Sequence, residues 1–370
     1  MKRMLCMLLA MGLVLCCVSA AMADEYVTIN ELREQAKQGW NETYTAMGRE
    51  VVADVEMGWF PEAEACPLVS VDPYTIDKDD ERLDKWRALP HSIIYDDLSD
   101  SISIDVTDHS KHQLVPPVSW YGKWLQDNFR YYGGEVPDRE AEDCDITYNE
   151  FLNLVEADVF EFTGLTLDDF YIDEVWVVSP SYKGIKVNGE YVRGDKLTAT
   201  GGYHVFAKQL VEGVPVFGSH PAGAKGHIQY SYYMPEYRYF TIQTVANPAN
   251  IEADLPLLSF DSFKGKLEEL IDAGNLRGVD AMRFGYGTCK DGDRWKLVPV
   301  WMVTCGYSKN PKSDENVLPY IDEDGTLVSP IGYDEYYFNA QTGEMLETYS
   351  ISATEYGLPM PKVLTWDDVK

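Results

Sequence analysis

Six histidines, seven cysteines and 61 acidic residues are the side chains of this 370-residue chain from which a metal site or a catalytic centre would be built. His109 and His112 stand as His-x-x-His, a spacing that on a helix puts both imidazoles on one face and starts a zinc site. No His-Glu-x-x-His occurs, and Asp108 to His112 reads as a polar loop after a strand. His204, His220 and His227 bracket one apolar stretch and would bind a metal or titrate together if the strands converged on them. Strand histidines are more commonly surface or hydrogen-bonded groups. Acids alternate in Asp77-Lys78-Asp79-Asp80-Glu81 and in Asp322-Glu323-Asp324-Gly325. A calcium loop of the EF-hand kind needs Gly at its sixth position, where the first run has Arg82, and the second run has Gly325 one place early. The first therefore reads as a helix N-terminus and the second as a hairpin turn. Cys289 or Cys305 with a histidine is the nearest approach to a cysteine nucleophile, without any local signature. There is no Gly-x-Ser-x-Gly elbow and no P-loop, and so many acids nominate no particular carboxylate pair. No catalytic residue, metal ligand or cofactor is expected. What remains is "YSYYMPEYRYF", Tyr230 to Phe240, whose rings either stack on a sugar or peptide or form cross-strand pairs. Tyr232, Tyr233 and Tyr237 are its candidate ligand-binding residues.

The chain opens with Lys2 and Arg3, an apolar run from Met4 to Val18 and the triplet Ala21-Met22-Ala23, the three regions of a secretory signal. Residues 1–23 are expected to be a signal peptide, giving a secreted or cell-surface protein with no membrane span in its mature part. Retained, the same segment is about long enough to anchor the chain. Two basic residues leave with it, so the formal charge of −30 becomes −32. Such a chain is repelled by nucleic acid and by anionic lipid. Calcium, a basic partner or solubility alone are the uses such acidity serves. Cys66, Cys144, Cys289 and Cys305 remain, with three possible pairings and no Cys-x-x-Cys.

The elements that position these residues follow from periodicity and caps. Thr28-Ile29-Asn30-Glu31 is a capping box opening a polar helix to about Lys37. "REVVADVEM", "ACPLVSVDPYTI" and "SISIDVTD" read as strands, "DDERLDKWRAL" as a short helix. "SWYGKWLQDNFRYY" reads as an amphipathic helix with Trp120, Trp124 and Phe129 inward. Gly133 to Asp145 is polar, broken and acidic, the main boundary. Beyond it one order occurs twice. A helix from the capping box Thr147-Tyr148-Asn149-Glu150 is followed by three strand-like runs, "DEVWVVSPSYKG", "YHVFAKQLVEGVPVFG" and "YRYFTIQTVAN". A second helix, "SFDSFKGKLEELIDAG", precedes "VDAMRFGYGTC", "KLVPVWMVTCGY" and "EYYFNAQTGEMLETYS".

These runs carry a family resemblance. "YHVFAKQLVEGVPVFG" resembles the strand and Gly-Val-Pro turn of the fungalysin and thermolysin propeptide module. "VPVWMVTCGY" followed by "YYFNAQTGEML", with Asn339, Ala340, Thr342, Gly343 and Glu344, resembles the last hairpin of the PepSY module. Two such modules behind an export segment are similar to the YycH/YycI-type extracytoplasmic regulatory proteins of Gram-positive bacteria and to exported clostridial-type proteins. The likeness spans roughly 147–352. It implies a non-enzymatic regulator that binds an extracytoplasmic protein, whereas the Ala-Met-Ala site departs from that group's retained anchor.

The expected fold class is α+β: a signal peptide (1–23), an N-terminal α+β domain (24–140) and two helix-plus-antiparallel-sheet, PepSY-like units (141–250 and 251–370). The expected function is an exported binding or regulatory protein acting on an extracytoplasmic protein partner; the alternative is a cell-wall or glycan-binding protein, with or without enzymatic activity.

Overall fold

A computed structural model of the chain describes residues 26–46, 48–55, 57, 60–74, 79–97, 101–107, 124–125, 128–188, 190–198, 200–217, 226–235, 237–243, 245–276, 278–291, 294–306, 320–321, 327–328 and 333–350. Its α-helices are α1 (Ile29–Ala36), α2 (Asp84–Arg87), α3 (Tyr148–Thr163) and α4 (Phe260–Asp272). Its longer strands begin with β1 (Trp40–Ala46), β2 (Arg49–Val55), β3 (Pro67–Tyr74), β4 (Ser92–Asp97), β5 (Ser101–Thr107) and β6 (Asn128–Tyr132). They continue with β7 (Phe170–Val178), β8 (Tyr182–Val187), β9 (Glu190–Lys196), β10 (Gly202–Val211), β11 (His227–Met234) and β12 (Tyr237–Gln243). The last are β13 (Val245–Asp254), β14 (Ala281–Asp291), β15 (Arg294–Gly306), β16 (Tyr333–Asn339) and β17 (Met345–Ser350).

Local chemistry explains the helix ends. In α1 the Glu31 amide donates to Thr28 Oγ1 at 3.3 Å while the Thr28 amide donates to Glu31 Oε2 at 2.9 Å, and Thr147 and Glu150 repeat this reciprocal cap on α3. α3 stops at Gly164, whose φ of 72° is cheap only for glycine. Phe151, Val155, Val159 and Phe162 recur at helical spacing and are all buried.

The larger sheet is antiparallel throughout in the order β4-β5-β12-β11-β10-β7-β6. One of its faces joins α3 and Trp86 of α2 in a single core with Val175, Val177, Tyr203, Val205, Tyr230 and Phe240. The Phe151 ring stacks on Tyr203 at 5.3 Å and meets Tyr230 edge-on at 5.8 Å. The second sheet runs β13-β3-β15-β16-β17 with β14 on β15. It shares a core with α1 and α4, centred on Trp301, against which Phe263 stacks at 5.4 Å. β10 links the two cores. Its first eight residues pair within the larger sheet, while Val211 belongs to the second core. Between them the buried Gln209 side chain brackets Ala246, donating to its carbonyl and accepting from its amide at 2.8 Å each. Glu212 (φ 51°) and Gly213 (φ 76°) then make a two-residue turn, and Pro215 pairs back onto Leu210.

The expected α+β class with an N-terminal domain and two helix-plus-sheet units is corrected by this architecture, which is predominantly antiparallel β-sheet. Strands from the first 132 residues are built into both sheets: β4 and β5 extend one edge of the larger sheet, β6 closes the other, and β3 sits between β13 and β15. The physical reason is that strand backbone groups need partners, and here the partners lie far away in sequence, where periodicity cannot reveal them. A second correction concerns 119–132. The stretch expected as an amphipathic helix holds a two-residue strand, Trp124–Leu125, and β6. Phe129 is exposed on that edge strand rather than inward, with the Arg139 guanidinium 3.8 Å from its ring centroid. Trp120 and the signal segment lie outside the described residues; no described helix is long and apolar enough to cross a membrane.

Candidate functional site

The second face of the larger sheet carries the most distinctive array of side chains. Register aligns one residue from each of six strands in a row: Arg130 (β6), Trp176 (β7), His204 (β10), Ser231 (β11), Tyr239 (β12) and Asp105 (β5). Because successive strand residues point to opposite faces, this row is the reverse of the Val177, Tyr203, Tyr232 row that packs under α3. Tyr233, Tyr237 and Val178 flank it. From Trp176 to Asp105, these residues and the flanking three line a groove of about 330 Å³.

Two backbone features shape the groove. Between Tyr232 and Met234 the register slips against β12, so Tyr233 is the extra residue of a bulge. Gly202 makes room for it: a Cβ at that position would overlap Tyr232 O and lie 2.6 Å from Tyr233 Cδ1. Tyr233 then meets Tyr237 edge-on, ring centroids 4.9 Å apart.

Electrostatics differ along the row. The Arg130 guanidinium sits 3.7 Å from the Trp176 ring centroid. Burial raises the Glu174 carboxyl above its ordinary pKa, and the nearby Arg130 charge opposes this. His204 is half-buried between Trp176, at 6.0 Å, and Phe206, at 4.4 Å. Desolvation lowers its pKa to about 4, and the imidazole is neutral at neutral pH. Its Nδ1 hydrogen-bonds Ser231 Oγ. Further along, Thr241 Oγ1 donates to Tyr239 Oη at 2.8 Å and contacts Ser103 Oγ at 2.8 Å. Burial raises the Tyr237 hydroxyl pKa, with smaller contributions from Tyr233 and then from the charge of Asp105.

Of the three aromatic candidates read from sequence, Tyr233 and Tyr237 reach the groove. Tyr232 is 4% exposed on the core face, where its hydroxyl bonds Asp145 at 3.0 and 3.1 Å. His204 and His227 are kept apart by the Phe206 ring, which stacks on His227 at 5.8 Å. His109, His112, His220, Asp77, Lys78 and the Asp322–Gly325 run lie outside the described residues. Among the described residues no three His, Cys, Asp or Glu side chains come together as a metal site would need. Asp80 caps a short 3-10 turn through the Arg82 amide, and the Arg82 side chain holds its pKa down at about 2. Cys66 and Cys144 are free thiols; burial pushes Cys66 up to about 12, and Cys289 is fully buried. Sequence reasoning did not single out Trp176, Ser231, Tyr239 or Asp105. The alternation in "YRYFTIQ" marks Tyr237 and Tyr239 as same-face neighbours, but nothing local places Trp176 or Asp105 beside them.

No family model matches the sequence, and no curated protein matches it. Solved structures similar to this chain include an uncharacterised protein from Eubacterium rectale, with a TM-score of 0.48 and 13% identity over 86% of this chain and 96% of that one. They also include the Bacillus megaterium YpeB C-terminal domain, with a TM-score of 0.27 and 11% identity over 75% of this chain and 99% of that one.

Proposed function

We propose that the chain is an exported, non-enzymatic binding protein that acts on an extracytoplasmic protein partner through the aromatic groove of the larger sheet. The observation carrying this reading is the groove lined from Trp176 to Asp105, on the face of the larger sheet opposite α3. Its size favours a protein ligand. At about 330 Å³ it lies at the small end of ligand sites and suits one side chain or one ring rather than an oligosaccharide. Among the described residues β4 and β6 are the outermost strands of this sheet, the positions to which a partner's strand would add. A cell-wall or glycan ligand is the second reading, favoured by the Tyr233, Tyr237 and Tyr239 rings.

A glycan array and a peptidoglycan pull-down, run with the natural chain and with the Tyr233→Ala, Tyr237→Ala pair, separate the two. The protein reading expects no glycan retention by either form. Glycan binding that disappears in the paired variant overturns it. Tyr232 is left intact because its truncation would open the core.

A further inference from the structure

β6 is the outermost described strand beside the Trp176 end of the groove, and one bond fixes which way its backbone groups point. The Gly133 amide donates to the Asp173 carbonyl at 3.0 Å, so Gly133 and Asp173 are a hydrogen-bonded pair in the register that places Tyr132 opposite Glu174. Antiparallel pairs alternate. Tyr131 and Phe129 are therefore the next residues bonded to β7, and the backbone groups of Tyr132, Arg130 and Asn128 turn away from it. The Tyr132 carbonyl accepts from the Glu135 amide at 3.1 Å. That leaves the Arg130 amide and carbonyl, the Tyr132 amide and the Asn128 carbonyl pointing outward, and among the described residues no strand lies beyond them. Asn128, Phe129, Arg130 and Tyr132 are all exposed. Trp124–Leu125 prolong this outer line, outermost beside β8 with Leu125 opposite Tyr182.

Natural edges are guarded by charge, proline or a covering element. The β6 sequence, Asn-Phe-Arg-Tyr-Tyr, holds no proline and one charge. That charge is turned inward over β7, the Arg130 guanidinium lying 3.7 Å from the Trp176 ring centroid. The opposite edge strand, β4, ends instead in Asp96 and Asp97.

We infer that the partner adds an extended segment of its own to β6, bonded through the backbone of Arg130 and Tyr132. The inference rests on the protein-partner reading above and names the chemistry of the contact, which is main-chain amides and carbonyls rather than one particular side chain. Two copies of a chain with a formal charge of −30 repel each other, which favours a strand from a different protein. Side chains of the added strand that share a face with Arg130 lie beside the Trp176 end of the groove.

The test is fluorescence polarisation with the full chain and a labelled eight-residue peptide alternating threonine and valine, against the same peptide N-methylated at alternate residues. Arg130→Pro removes an amide that points away from the ladder, so the fold is expected to survive it. Arg130→Ala loses the same side chain and keeps the amide. The plain peptide is expected to bind the natural chain and Arg130→Ala alike, and to bind Arg130→Pro about tenfold more weakly or worse. The N-methylated peptide is expected to lose binding to the natural chain by a similar factor, a result that needs no variant to fold. Unfolding midpoints of the two variants within about 2 °C of each other show that the ladder is intact. No binding of the plain peptide, equal binding to Arg130→Pro, or equal binding of the N-methylated peptide overturns the inference. A protein that cross-links to position 239 of the groove in Arg130→Pro as it does in Arg130→Ala also overturns it, and leaves the protein-partner reading standing. Glycan adducts alone at that position overturn both.

Discussion

His204 shows how a single residue couples the site to stability. Its pKa is about 4 when folded and about 6.5 when unfolded. Above pH 6.5 the imidazole is neutral in both states and contributes no pH dependence. As pH falls from 6.5 towards 4 only the unfolded chain takes up the proton, so stability drops, by about 2–3 kcal/mol in all. Asp158, raised by burial, works in the opposite sense, so the informative quantity is a difference between variants. Urea unfolding at pH 7 and pH 4.5 is expected to show that His204→Asn loses less stability than the natural chain; superimposable losses would contradict the assignment. Gly202 is the second sensitive position. Gly202→Ala is expected to lower stability by about 2 kcal/mol or more, because the new methyl meets backbone at Tyr232 as well as the Tyr233 ring. A thermal midpoint unchanged by that substitution would show that the bulge yields freely.

Elements with local signals were legible in the sequence, and those defined by distant partners were not. The Thr28 and Thr147 capping boxes, the Gly274 stop and the Gly213 turn are all set by residues within a few positions. Thr147→Ala is accordingly expected to cost about 1 kcal/mol, read from the urea midpoint. β6 failed as a prediction for the opposite reason. Its aromatics satisfy a helical pattern as well as an alternating one, and its partner β7 starts some forty residues later. The groove shares this fate: Tyr233 and Tyr237 stood out as an aromatic cluster, but Trp176, Ser231 and Asp105 join them only through register. Gln209, in mid-strand, also gave no sign of its bracket around Ala246. Gln209→Leu strips partners from a buried amide and a buried carbonyl, and is expected to cost about 3 kcal/mol. A loss below about 1 kcal/mol would mean that water replaces the side chain.

The whole molecule is held together by β10, by the parallel bridge of Val216 to Tyr286, and by Asp173, whose carboxylate accepts from Arg283 Nη1 at 2.8 Å through both oxygens. Since one strand enters both cores, the two sheets are expected to unfold together. Near-ultraviolet circular dichroism and calorimetry should report one midpoint; two resolved transitions would show that the sheets are independent. The proposed binding belongs to the same scale, on the groove face of the larger sheet. The most direct test is photo-crosslinking in the native producer, with a photoreactive amino acid at position 239 and, as control, at exposed position 269 on α4. Cross-linked protein contacts mapped by mass spectrometry to one extracytoplasmic partner, obtained from position 239, absent from position 269 and lost with Tyr233→Ala, Tyr237→Ala, are the predicted result. Adducts from both positions alike, or only glycan adducts from position 239, would contradict it.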